Sequence, residues 1–173
     1  KEKKKETSTF LPYIQEYRKK IEDELTKMCN NVISVIDDFL LKKAEDSESK
    51  VFYLKMKGDY NRYIAEYASG DAKQKVADNA LVAYKAATEE SKKLSTIHPI
   101  ALGLALNFSV FYYEVTNNHE LACDIAKSCL DLANKELPQN VDEDDEQYRD
   151  AISIINLLRE NLEMWKAEGE EDN

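Results

Sequence analysis

The chain has 173 residues, 43% apolar and 34% charged, with a formal net charge of −10 and only four glycines and three prolines. That length suits one domain with a real core, and the charged fraction well above the usual quarter favours long amphipathic helices over a sheet with many turns. The acidity disfavours general nucleic-acid binding, no apolar run of 18 residues is present to span a membrane, and Lys1-Glu2-Lys3-Lys4-Lys5 lacks the apolar stretch of a signal peptide.

Six helical segments follow from period and caps. The first is expected over 9–43, because Ile14, Tyr17, Ile21, Leu25, Met28, Val32, Val35, Ile36 and Phe39 recur at three and four and form one apolar stripe. The second starts near Ser47 and ends at Gly70, with glycine just past the helix. Asp71 is expected to cap the third, with Gln74 as its capping-box partner. This helix should run to about Leu94, with Val76, Ala80, Tyr84 and Ala87 inward. His98-Pro99 opens the fourth, since proline fits the first helical position. Leu102 to Val115 is almost continuously apolar, which makes it the central buried helix.

Asn117 with Glu120 reads as a capping box for the fifth helix, which should run to about Leu137 before Pro138. The acidic residues from Asp142 to Glu146 suit the N-terminus of the sixth, where carboxylates meet the positive end of the macrodipole. That helix is expected to reach about Trp165. Residues 1–168 therefore read as one helical domain and 169–173 as an acidic, disordered tail. The short connections imply antiparallel neighbours. Helix pairs in series imply a curved stack whose concave side is a groove. The chain opens with Lys rather than Met in a charged stretch, so further residues are expected before it in the natural protein.

No Gly-rich phosphate loop, Cys-x-x-Cys, His-Glu-x-x-His or Gly-x-Ser-x-Gly is present, so no enzymatic activity and no cofactor are expected. Cys29, Cys123 and Cys129 read as reduced thiols of an intracellular protein, and the six-residue spacing of the last two is not a metal spacing. His98 and His119 fall at helix starts and read as capping or surface residues.

Lys55 and Arg62 are seven apart and share a helical face. With the Tyr63 hydroxyl they form a donor set suited to a phosphate dianion. The alternative is that Arg62 pairs with Asp59 and Glu66 on a solvated face. Asn107, Val110 and Glu114 form one stripe of the fourth helix, with Leu106 beside it. Leu157, Asn161, Met164 and Trp165 form one of the sixth. A carboxamide donates and accepts at once, which suits an extended peptide backbone. Buried asparagines satisfied within the bundle, beside ordinary core leucines, are the other reading.

Three runs carry a resemblance. They are Lys50 to Tyr60 (KVFYLKMKGDY), His98 to Glu114 (HPIALGLALNFSVFYYE) and Leu157 to Trp165 (LLRENLEMW), with Glu16-Tyr17-Arg18 and Ile21-Glu22 in support. In order and spacing they resemble the 14-3-3 family from about Pro12 to Trp165. The resemblance implies an all-α fold: nine antiparallel helices forming a cup and pairing into a dimer, of which this chain supplies the last six. It implies a cytoplasmic adaptor, open also to the nucleus, that serves signalling through protein–protein interaction by clamping phosphoserine or phosphothreonine clients. A phosphate-independent helical scaffold is the alternative.

On that resemblance Arg62 and Tyr63, with Lys55 nearby, hold phosphate, and Asn107 and Asn161 hold the peptide backbone. Leu106, Val110, Leu157 and Met164 form an apolar groove wall, with Glu114 and Trp165 at its edge. Met164 stands where the family has Leu, a volume-conserving change. Ala101 stands where it has Arg, which implies one cationic contact fewer along the groove, and the segment from Pro138 to Glu146 is longer and more acidic than the family's. The family's cradle also uses a Lys and an Arg on its third helix, before this chain's first residue. Their absence would cost several kcal/mol at about 1.5–3 kcal/mol per charged hydrogen bond. Homo- or heterodimers are expected when the N-terminal helices are present.

Overall fold

The computed structural model describes residues 2–142, 144–146 and 148–171, with side chains from residue 10 to residue 169 within those ranges. Among the described residues every regular element is helical. The first helix, α1, spans Glu2–Val35 and continues through a π-helical turn, Ile36–Leu40, into a last turn at Leu41–Lys43. The others are α2 (Ser47–Tyr67), α3 (Gly70–Ser91), α4 (Pro99–Val110, prolonged by a π-helical turn at Phe111–Val115), α5 (His119–Glu136) and α6 (Arg149–Glu171). The six segments read from sequence are all present.

Their ends differ in several places, beginning with α1, which starts at Glu2 and not at residue 9. The chain breaks at the extended residues Ala68 and Ser69, so Gly70 opens α3 with φ +55 instead of closing α2. Asp71 consequently lies inside the first turn and does not cap, and Gln74 donates to Asp78 at 2.9 Å instead of reaching back. At α5 the cap is Asn118, whose side chain accepts from the Leu121 N–H at 3.1 Å. Asn117 takes up a left-handed φ of 50 one residue earlier, which sharp reversal a short polar side chain tolerates. Finally, α6 starts at Arg149 and runs through Glu171. It therefore includes part of the expected tail, while residues 172 and 173, and Glu143 of the acidic stretch, lie outside the described residues.

Three sets of contacts fix helix directions. Thr26 meets Tyr67 at 2.9 Å and Lys57 meets Asp37 at 2.8 Å, so α1 and α2 are antiparallel. Ser47 at the start of α2 donates to Glu90 near the end of α3 at 2.7 Å, which makes that pair antiparallel too. A Cβ on Gly103 would lie 3.7 Å from the Lys55 side chain, and Asn107 bonds Asp59, so α2 and α4 run parallel. From α1 to α4 the chain therefore alternates direction from helix to helix.

α4 separates two cores. On one side Leu104, Phe108, Phe111 and Val115 pack with Val51 and Ala65 of α2 and with Ala77, Ala80, Tyr84 and Ala87 of α3. On the other, Leu102 packs with Ala122, Ala126, Leu130 and Ala133 of α5 and with Ala151, Ile155, Leu158, Leu162 and Trp165 of α6. The alanines of α3 and α5 leave room for close helix approach. A helix apolar on nearly all sides is the sequence signature of that central place.

The α1 stripe behaves differently from expectation. Ile36 and Cys29 are buried, but Ile14, Tyr17, Ile21, Leu25, Met28, Val35 and Phe39 are exposed, as are Phe10, Leu11 and Tyr13. α2 covers only part of α1, and no other described element covers the rest.

Candidate functional site

Every candidate site residue lies on α2, α4 or α6. On α2, Arg62 is only 9% exposed, although it is a charged side chain. Its Nη1 donates to Glu66 at 2.8 Å, while its Nε is buried without a hydrogen-bond partner. Burial works against the guanidinium's charge, but Tyr84, Asp59 and Glu66 outweigh it and the group is held above its ordinary value. The Glu66 half of the alternative reading is therefore correct, and its solvated face is not.

The guanidinium carbon lies 4.7 Å from the centroid of the Tyr63 ring, a cation–π contact. Burial, then the nearby Asp59 carboxylate, raises the Tyr63 phenol, so its hydroxyl stays protonated and can donate. Arg62 and Tyr63 thus form one donor group.

Lys55 is placed elsewhere than beside Arg62. Its ammonium is tied to Asp59 Oδ2 at 2.8 Å, and its stem runs along Gly103. Seven residues of helix separate it from Arg62, about 10 Å of rise. Asp59, 7% exposed, is the junction that the sequence reading passed over as a mere alternative partner. It accepts from Tyr84 OH at 2.6 Å, Asn107 Nδ2 at 2.9 Å and Lys55 Nζ at 2.8 Å. Burial, followed by the charge of Asp59, raises the Tyr84 phenol far above its ordinary value, so Tyr84 is always a donor here. A charged residue four after Lys55 and three before Arg62 was the available signal for Asp59. Tyr84, inward among alanines, was the signal for a hydroxyl needing a buried partner.

On α4, Asn107 joins this network, while its neighbours Leu106 and Val110 lean on the second core. Glu114 is exposed within the π turn. On α6 the buried face is Ala151, Ile155, Leu158, Leu162 and Trp165. Beside it Leu157 is 48% and Met164 50% exposed, with Asn161 half-buried between them. Two large exposed apolar side chains flanking a carboxamide suit a surface for a chain segment. Trp165 differs from expectation: at 5% exposed it is a core residue stacked 4.7 Å from Tyr113, and it supports a wall instead of lining one. Ala101 also differs. It lies with Ala105 in a cleft between α3 and α5, lined by Thr88, Ile125 and Cys129, away from Asn107.

Among the described residues no group of three or more His, Cys, Asp or Glu side chains could hold a metal ion. No described helix is long and apolar enough to cross a membrane.

Comparison with known proteins bears on the same segments. The model of the family described as "14-3-3 protein" matches residues 1–166. The chain is 47% identical over 173 residues to the 14-3-3-like protein GF14-F of Oryza sativa subsp. japonica, covering 99% of this chain and 65% of that one. It is 50% identical over 166 residues to the 14-3-3 family protein artA of Aspergillus flavus, covering 95% and 68%. It is 52% identical over 159 residues to the human 14-3-3 protein beta/alpha, covering 91% and 63%. The chain thus spans about two thirds of the length of these relatives. With six helices in the expected order and a family match across nearly its whole length, this chain belongs to the 14-3-3 family.

Proposed function

We propose that the protein is a phosphoserine- and phosphothreonine-binding adaptor that clamps or masks segments of client proteins, making and breaking no covalent bond. The observation that carries this reading is Arg62. A guanidinium kept charged despite its burial, with the Tyr63 phenol against its face, is a donor pair suited to a doubly charged anion.

The peptide is held by α4 and α6. Asn107 and Asn161 supply carboxamides to a main chain that has no partner strand. Leu106, Val110, Leu157 and Met164 offer apolar contact, and Glu114 sets a negative rim. Lys55, held between Asp59 and Gly103, contributes its charge to the same region. Phosphate supplies the affinity, the asparagines supply direction, and the apolar wall supplies selectivity. The exposed apolar stripe of α1 supports a further part of the reading: it offers a surface on which homo- or heterodimers form when N-terminal helices are present. The working compartment is the cytoplasm, with the nucleus open to it.

Titration of the full-length protein with a phosphoserine peptide and its unphosphorylated twin tests the proposal. Tight binding of the first and weak binding of the second is expected. Equal affinity for both would sink it.

A further inference from the structure

Asp59 has two carboxylate oxygens and three protein donors. Oδ1 receives Tyr84 OH at 2.6 Å and Asn107 Nδ2 at 2.9 Å, and Oδ2 receives Lys55 Nζ at 2.8 Å. Both oxygens act as acceptors, so the only face Asn107 can turn toward Asp59 is its amide nitrogen. Its Oδ1 then points the other way, and nothing among the described residues donates to it. We propose that Asp59 is a positioning residue: it locks the Asn107 carboxamide with nitrogen inward and oxygen outward, so that Asn107 reads a main-chain N–H of the bound segment. This rests on the phosphopeptide reading given above and adds a direction to it.

The lock is built from three helices. Tyr84 from α3 is fully buried and stacked 5.2 Å from Phe108, so its hydroxyl holds Asp59 from behind. Lys55 holds the second oxygen from the same helix as Asp59. Whichever oxygen Asn107 meets, it meets an acceptor and can only donate to it. A free asparagine would present oxygen or nitrogen equally and accept either polarity of peptide group. A locked one rejects a segment that has no N–H at the position it faces, because its oxygen would be left unpaired on closure.

The test uses a phosphoserine peptide and a panel in which each main-chain N–H around the phosphoserine is methylated in turn. Each is titrated into the full-length protein and its Asn107→Ala, Asp59→Asn and Tyr84→Phe variants. In the wild type one methylated position should weaken binding about tenfold, and Asn107→Ala should erase that penalty. Asn at position 59 has one acceptor and one donor, so it no longer dictates the flip. Asp59→Asn should shrink the same penalty to about threefold or less. Tyr84→Phe, which leaves the Asn107 bond in place, should keep the penalty.

A full penalty in Asp59→Asn, or no position whose penalty depends on Asn107, overturns the inference. Loss of phosphate preference in the wild type would instead count against the phosphopeptide reading. A second readout needs neither ligand nor variant, which covers failure of Asp59→Asn to fold. An Asn107 side-chain amide proton should exchange about tenfold more slowly than that of an exposed asparagine, as a bonded amide does. Exchange at the free rate overturns the lock.

Discussion

Arg62 and Glu66 form a 2.8 Å ion pair whose halves sit in different surroundings, the guanidinium buried and the carboxylate exposed. A phosphate approaching Arg62 meets a competitor already bound to one nitrogen. Arg62→Ala should remove most of the preference for a phosphorylated peptide, about 1.5–3 kcal/mol for a charge-assisted hydrogen bond. Glu66→Gln should act the opposite way, tightening phosphopeptide binding by about 0.2–1 kcal/mol, the range of an exposed pair. Calorimetric titration at fixed ionic strength checks both. Weaker binding by Glu66→Gln would mean that the carboxylate orients the guanidinium more than it competes for it.

Gly58 of α2 faces the ring of Tyr84 on α3. A Cβ there would sit 2.7 Å from the Tyr84 ring, and the ring cannot retreat, because it stacks on Phe108 and its hydroxyl is tied to Asp59. Gly58→Ala should therefore destabilise the fold by about 1–3 kcal/mol despite alanine's better helix propensity, which favours it by about 1 kcal/mol. Urea unfolding measures the net sign. A stabilised variant would show that the two helices can separate without cost.

The order and identity of the helices were legible in the sequence because apolar spacing and the runs around Lys50, His98 and Leu157 are properties of single segments. The cap errors came from reading Asp71 and Asn117 by capping-box spacing, with Gln74 and Glu120 as partners. Ser69, without a side-chain bond, and Asn118, with one, hold those positions because the extended backbone at Ala68 and the left-handed turn at Asn117 set the helix starts one or two residues away from the residues read as caps. Asp59 was illegible for a different reason. Its partners Tyr84 and Asn107 are 25 and 48 residues away, and no local pattern announces a junction between three helices. Trp165 shared a stripe with Met164 on paper, yet one position around α6 separates core from solvent.

That separation gives a clean dissociation of binding from folding. Leu157 and Met164 are half-exposed, so Leu157→Asp or Met164→Asp should change thermal stability by no more than about 0.5 kcal/mol, as surface changes do. Peptide affinity should nevertheless fall at least tenfold, since a carboxylate would be placed in an apolar wall. Trp165→Ala should do the reverse in order: it empties a core site and should cost about 3–5 kcal/mol. If the two aspartate variants bind normally, α6 does not contribute a wall.

Acid should loosen the helix junctions first. Asp46 is lowered from 3.8 mainly by the Ser49 N–H and hydroxyl at the start of α2. Glu90 is lowered from 4.5 by Lys93 and then Ser47, and Glu136 from 4.5 by Ser95 and Thr96. Depressed folded values mean stability that is present above the unfolded values and lost as pH falls through the folded ones. The melting temperature should therefore drop as pH falls below about 4.5, the ordinary carboxylate value. Asn also caps helices well, so Asp46→Asn should preserve the neutral-pH melting temperature and flatten part of this acid slope. An unchanged slope would place the acid sensitivity elsewhere.

Ala101 offers the sharpest separation of groove from outer surface. It lies six residues before Asn107, about 120° around the helix. Its neighbours are Ala105, Thr88 of α3, and Ile125 and Cys129 of α5, around a cleft of about 540 Å³. A long side chain at position 101 enters that cleft, whose charged lining includes Lys92 and Asp124. Restoring the family's arginine by Ala101→Arg should thus leave phosphopeptide affinity within about twofold, because the added charge is on the far face of α4 and screened by solvent. A tenfold gain would mean that the arginine reaches the peptide after all, and that α4 turns relative to α3 and α5 when a client is bound.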